Sequence, residues 1–281
     1  MSRGPDFLII GAMKCGTSTL HEQLALQDGL FLTTPKEPNF FSDDAIFAKG
    51  MGWYSSLFDA AEPGDLCGES STHYTKLPTY PETVARMAAA LDRPRLIYMI
   101  RNPLERAMSH YIHAWSEREV SEDVEEAFRT NQTFRAYGAY GMQIQPFVDW
   151  VGAENILLLS LEEMKSDPDG TLARAGQFIG ANTPMVWQHD LAQQNVSVAR
   201  VRRLPFQSLL IDNPVARALR RTLVPKSVRT RIREGRQMKT RPSLPDALKK
   251  DLEAAFLADR DVLAGYFPNA AALDLAYPFA P

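Results

Sequence analysis

Cysteine is nearly absent from this chain of 281 residues: only Cys15 and Cys67 are present, too few for a disulfide framework. They fit a reducing compartment and a role as small, buried or half-buried side chains. Long apolar runs are missing as well. The N-terminal stretch Phe7-Leu-Ile-Ile-Gly11 is about five residues, well below the ~20 of a membrane span or the core of a secretory signal. A cytoplasmic, unanchored protein is therefore expected. Charge of one sign is not in excess either: the net charge of −3 gives no overall pointer to nucleic acid. The five histidines, His21, His73, His110, His113 and His189, show no H-E-x-x-H or similar spacing, so no metal site is expected. Internal repeats and low-complexity tracts are also lacking. A hydrophobic content of 45% is enough for a sizeable core.

Three apolar runs read as strands buried on both faces: Phe7–Ile10, Arg95–Ile100 and Asn155–Ser160. A shorter strand is expected over Asp65–Glu69. Helical spacing follows the first run from about Ser18 to Leu26, through Leu20 and Leu24. A helix starting near Pro103 follows the second, because proline suits the first turn, where its missing N–H has no intrahelical partner. Leu161 through Phe178 follows the third as a helical stretch, and Asp246–Ala264 returns to helical spacing. Strands alternating with helices predict an α/β fold with a central, mostly parallel sheet and helices on both faces, a P-loop-like three-layer arrangement read as one domain over residues 1–281. In such sheets ligands sit beyond the carboxyl ends of the strands. The residues Gly11–Thr19, Glu69, Arg101 and Ser109 all follow strand ends, so they should share one rim.

Ile10-Gly-Ala-Met-Lys-Cys-Gly-Thr-Ser-Thr-Leu20 is the stretch with the clearest chemistry. A strand-to-helix turn gathers backbone N–H groups at the positive end of a helix. Gly16 lets an anion approach, Thr17, Ser18 and Thr19 offer hydroxyls, and Lys14 brings a full charge. The order differs from G-x-x-x-x-G-K-[ST], because Lys14 precedes Gly16 by two residues instead of following it. The alternatives from this turn alone are a P-loop nucleotide or small-molecule kinase and a plain glycine-bearing turn. From Arg200 to Arg241 thirteen Lys and Arg stand against two acids. That segment reads either as a basic lid over an anionic ligand or as a solvated helical face.

Residues 7–20 resemble the 5′-phosphosulfate loop of sulfotransferases that use 3′-phosphoadenosine 5′-phosphosulfate (PAPS), the heparan sulfate type and its bacterial relatives above all. Lys36-Glu-Pro-Asn-Phe-Phe41 and Gly52-Trp-Tyr54 resemble the segments that follow in that group. Tyr98-Met-Ile-Arg-Asn-Pro-Leu-Glu-Arg-Ala-Met-Ser-His-Tyr111 resembles its 3′-phosphate motif. The resemblance implies sulfuryl transfer from PAPS to a hydroxyl of a glycan, lipid or small metabolite, with release of 3′,5′-ADP and without a metal. It implies that Lys14, with Cys15, Gly16, Thr17, Ser18 and Thr19, holds the 5′ end of the donor, and that Arg101 and Ser109 hold its 3′-phosphate. Glu69 takes the place of the base that deprotonates the acceptor, with His73 as the rival base. Several members carry a lysine directly after that glutamate, where this chain has Ser70. An aromatic residue helping to seat the nucleotide or acceptor is assigned to Tyr140, with ordinary core packing as the alternative. Arg236 and Lys239 are assigned to a late basic loop that closes on the donor, although the usual Lys-Gly pair is missing there. The remaining histidines read as helix-surface or internally satisfied side chains.

Overall fold

A computed structural model describes residues 3–190 and 240–280. Five strands, β1 (Phe7–Gly11), β2 (Leu30–Leu32), β3 (Leu66–Ser70), β4 (Arg95–Ile100) and β5 (Ile156–Ser160), form one sheet in the order β2-β3-β1-β4-β5. Every pairing among them is parallel. Around the sheet lie α1 (Thr17–Ala25), α2 (Asp44–Phe47), α3 (Gly50–Ser56), α4 (Thr83–Ala90), α5 (Pro103–Glu117) and α6 (Val124–Thr130). They continue as α7 (Thr133–Ala136), α8 (Tyr140–Val151), α9 (Leu161–Ser166), α10 (Pro168–Ile179), α11 (Asp246–Tyr266) and α12 (Ala271–Ala276).

β1 is central because all five of its residues are buried and each face is covered. β3 fits beside it through Gly68, which pairs with Phe7. A Cβ on Gly68 would lie 2.2 Å from the Phe7 ring, so only glycine lets that ring pack across the strand pair. From β1 the chain runs to one edge and returns as β3, then crosses to the other side of β1 as β4 and β5. The reversal falls between β1 and β4. That is the switch point of an open α/β sheet, where a crevice forms beyond the strand ends.

Two features differ from the sequence expectation. β2 has only three residues, too short for its alternation to stand out from a loop. The single helix expected after β5 is two helices, broken at Asp167-Pro168. Pro168 cannot extend a helix behind it, and the Asp167 side chain accepts a hydrogen bond from the Gly170 amide at 3.0 Å, starting a new one. α9 itself begins on a capping box, in which Ser160 accepts from the Glu163 amide and Glu163 accepts from the Ser160 amide. No helix among the described residues is long and apolar enough to cross a membrane.

Candidate active site

The turn after β1 is shaped by Gly16, whose φ of +88 lies in the left-handed region. A side chain there would also strike α9, with a Cβ 2.8 Å from Leu161 and 2.9 Å from Met164. The Gly16 carbonyl takes the amides of Thr19 and Leu20. No carbonyl among the described residues accepts from the amides of Gly16, Thr17 and Ser18. These are the orphan donors of a helix start, and no acid stands in the first turn to occupy them. Lys14 is half-buried and also left-handed, at φ 70.

The expected contact from Cys15 takes a different form. Its side chain is fully buried and its amide is spent on the Ala12 carbonyl at 3.2 Å. Burial pushes the thiol up to about 11, against the pull of the Tyr140 hydroxyl, Arg106 and Arg101. Cys15 is thus floor, not lining. Tyr140, expected to touch the ligand, is likewise wholly enclosed. Its hydroxyl lies 3.4 Å from Cys15 Sγ and donates to the Arg101 carbonyl at 2.8 Å. It ties the β1 turn to the β4 turn from below, since an aromatic ring this deep in the core has no face left for a nucleotide.

The second turn, after β4, is held by Asn102, whose side chain accepts from the amides of Leu104 and Glu105 at 3.0 and 3.2 Å, with Pro103 opening α5. Arg101 Nη1 donates to the Lys14 carbonyl at 3.4 Å, so the two turns touch. Arg101 pairs with Glu105 at 3.3 Å, and Arg241 pairs with the same carboxylate at 2.5 Å. Ser109 is a buried residue on α5, nearly two turns from Pro103. Beneath both turns Arg106 is fully buried, its Nη2 on the Phe134 carbonyl and its Nε and Nη1 without partners. Arg236 and Lys239 lie outside the described residues. Arg241, from the same basic stretch, is the residue the structure brings to the Arg101 corner, and its sequence context did not set it apart from its basic neighbours.

Glu69, near the end of β3, is fully buried. Tyr54 and Tyr74 donate to its Oε2 at 2.9 and 2.8 Å, while Oε1 makes no hydrogen bond of ordinary geometry among the described residues. Burial pushes this carboxyl up to about 7, opposed by the hydroxyls of Ser71, Tyr74 and Tyr54. Next to it, Ser70 stands 2.8 Å from His21 Nδ1. His73 stacks on Tyr80 at 4.7 Å, its Nδ1 is buried without a partner, and burial followed by the nearby Lys76 charge brings it down to about 4. The segment after β2 wraps this corner. Lys36 pairs with Glu37 at 2.8 Å, Thr72 donates to Glu37, and the Glu37 amide bonds the Ser70 carbonyl. Lys76 is also mostly buried and is brought down to about 8, chiefly by burial. Sequence spacing marked neither Lys76 nor Arg106, because a lone basic residue carries no pattern of its own.

The other histidines are structural in their surroundings. His110 is sandwiched between Phe134 and Tyr137, and burial brings it down to about 2. His189 lies 3.6 Å from Asp169 on the surface. Among the described residues no three His, Cys, Asp or Glu side chains cluster as metal ligands.

Comparison with known proteins follows this geometry. A family model described as a sulfotransferase domain matches residues 4–257. A heparan sulfate glucosamine 3-O-sulfotransferase 3B1 of Mus musculus is 29% identical over 194 residues, 66% of this chain and 48% of that protein. A bifunctional heparan sulfate N-deacetylase/N-sulfotransferase 1 of Xenopus laevis is 26% identical over 210 residues, 68% of this chain and 24% of that protein. The chain thus spans about half the length of the 3-O-sulfotransferase and a quarter of the bifunctional protein. The crystal structure of a sulfotransferase from Alicyclobacillus acidocaldarius shares the fold, with a TM-score of 0.67 at 22% identity, covering 96% of this chain and 99% of that one.

Proposed function

From the premise that this chain belongs to the sulfotransferase domain family, we propose that it moves a sulfuryl group from PAPS to an acceptor hydroxyl and releases 3′,5′-ADP. One observation carries the reading: the turns after the neighbouring strands β1 and β4 meet through Arg101 and Lys14, and Glu69 is the next-to-last residue of β3, the strand on the other side of β1. In this reading the cationic turn, the arginine corner and the carboxylate serve one site on the carboxyl-terminal side of the parallel sheet. The orphan amides of Gly16, Thr17 and Ser18 and the Lys14 charge suit the 5′-phosphosulfate, with Ser18 and Thr19 hydroxyls beside them. Arg101, with its planar fork, and Ser109 suit the 3′-phosphate. Arg236 and Lys239 are kept as candidates for closing over the donor.

In this reading Glu69 takes the proton of the acceptor hydroxyl as the oxygen–sulfur bond forms. The bond from sulfur to the bridging oxygen breaks, its electron pair stays with the departing phosphate, and Lys14 meets the charge that develops there. Transfer of this kind asks for positioning and charge stabilisation more than covalent work. A sulfuryl group carries less charge than a phosphoryl group, which is why a lysine and helix-end amides suffice in this reading without Mg²⁺. His73 remains the second candidate base. The kinase reading is weakened by the position of Lys14 ahead of Gly16 and by the family match.

A glycan is the favoured acceptor, since the named relatives act on heparan sulfate and one of them is an O-sulfotransferase of glucosamine. Lipid and small-metabolite alcohols are the other candidates. We further propose a cytoplasmic reaction, a reading that the two free, buried cysteines support, and one catalytic unit over residues 1–281. Transfer of labelled sulfate from PAPS to a host-cell extract, with the product identified by mass spectrometry, tests the function. The wild-type protein should label a component in EDTA and bind 3′,5′-ADP in preference to ATP, and Lys14→Ala should lower the rate by about 10²–10³, the usual effect of removing one charge-stabilising donor. Tighter binding of ATP, or transfer that stops in EDTA and returns with Mg²⁺, would overturn it. Near-normal turnover in Glu69→Gln together with a dead His73→Ala would hand the base role to His73.

A further inference from the structure

The segments 36–41 and 52–54 have no part in the donor chemistry described above, yet they enclose the carboxylate on β3. Tyr54, from the second segment, stacks on Phe40 at 4.7 Å and meets Phe41 edge-on at 5.0 Å. Phe58 closes the far side at 5.5 Å, and Phe41 also lies against Tyr74 at 5.9 Å. Phe40, Phe41, Tyr54 and Phe58 are all fully buried, so the two phenols have little freedom to turn away from Glu69.

Both tyrosine hydroxyls donate to the same oxygen, Oε2, whereas Oε1 is buried and makes no such bond among the described residues, with the Ser71 hydroxyl as the further donor beside the carboxyl. A buried acceptor with no donor is uncommon and points to a partner that arrives later. We propose that Tyr54 and Tyr74 are the positioning residues of the base: they occupy Oε2, fix the plane of the carboxylate and leave Oε1 as the atom that accepts the acceptor's proton. The proposal rests on the reading of Glu69 as base and adds to it which oxygen acts and what holds it. Donors to the charged form favour ionisation, while the apolar wall opposes it. The aromatic cage and the two hydroxyls thus pull in opposite directions and together set where Glu69 titrates. The other titratable or polar groups facing this carboxyl are Ser71, which favours the charged form, and Glu37 from the loop after β2, which disfavours it.

The test is infrared difference spectroscopy of the full chain across a pH titration, with the protonated-carboxyl band assigned to Glu69 by its loss in Glu69→Gln. In Tyr54→Phe and in Tyr74→Phe that band should titrate higher than in the wild type, by about one pH unit for each hydroxyl removed. Its frequency should also shift as Oε2 loses a donor. Phenylalanine keeps the ring in the cage, so both variants should fold, as judged by circular dichroism, and either one alone decides the matter. An unmoved band in a folded variant overturns the clamp. The base reading fails separately: if Glu69→Gln still transfers sulfate in the extract assay while the Phe variants shift the band, the clamp is real but does not serve a base.

Discussion

At the scale of single residues, Glu69 shows how a site can cost stability. Its carboxyl is moved from the ordinary 4.5 to about 7, first because it is buried. The folded protein therefore holds this proton more tightly than the unfolded chain does. The associated stability is complete below about pH 4.5 and is lost as the pH rises through about 7, a change on the order of 3 kcal/mol at 1.36 kcal/mol per unit. Glu69→Gln has no such ionisation. Its unfolding free energy relative to wild type should accordingly improve between pH 4.5 and 8.5, as urea titrations at the two ends would measure. A difference that stays constant across that range would mean that Glu69 titrates near its ordinary value. The same residue should make transfer fall away on the acid side of neutrality, because a protonated carboxyl cannot take a second proton.

Secondary-structure elements hold this site by abutting one another at their ends. α9, which follows β5, braces both turns: Leu161 and Met164 press on Gly16, and Glu162 accepts the Asn102 amide at 3.1 Å. At Gly16 the left-handed φ strains any other residue, and the tips of Leu161 and Met164 would have to shift to admit a Cβ. Gly16→Ala forces alanine into a left-handed φ, for which about 1–3 kcal/mol is usual at a strained backbone position, and displaces the tips of Leu161 and Met164. The turn should yield before the fold does. The 3′,5′-ADP dissociation constant, measured by calorimetry, should rise at least about tenfold, the equivalent of 1.4 kcal/mol, while the protein stays folded at 25 °C. Wild-type affinity would mean that the orphan amides at this turn do not grip the ligand. At this scale much was legible beforehand. Continuous apolar runs gave away β1, β4 and β5, and Pro103 marked the start of α5. The three-residue β2 and the break at Pro168 leave no such mark in the sequence, the first for want of length and the second because apolar spacing continues across it.

Across the whole molecule, the long helix α11 reaches back to the site from over a hundred residues away. Asp259 on α11 accepts from the amides of Gly141 and Met142 at 2.7 and 2.8 Å and so caps the start of α8, whose first residue is Tyr140. Through Tyr140 this cap reaches Cys15 and the Arg101 carbonyl. Asp259→Ala should cost about 1–2 kcal/mol, the usual loss of a cap, read as a fall in the urea midpoint. It should also weaken 3′,5′-ADP binding although no residue of α11 is assigned to the ligand. Asp259→Asn, which can still accept one of these bonds, should lose less of both. Equal behaviour of the two variants would show that the cap is not what links α11 to the crevice.

The sequence alone determined three of the buried parallel strands, the glycine turn with Lys14 and the strand ends at which chemistry gathers, since a buried strand, a glycine turn and a helix start are each written within about twenty residues. The roles of Glu69, Arg101 and Ser109 came from the family resemblance of the segments that carry them. Only the tertiary structure decided that Cys15 and Tyr140 lie under the crevice instead of lining it, that Arg241 reaches the Arg101 corner, and that two tyrosines share one oxygen of Glu69. Burial and hydrogen-bond partners are set by contacts between segments far apart in the chain, and no local spacing encodes which side of a packed layer a side chain will face.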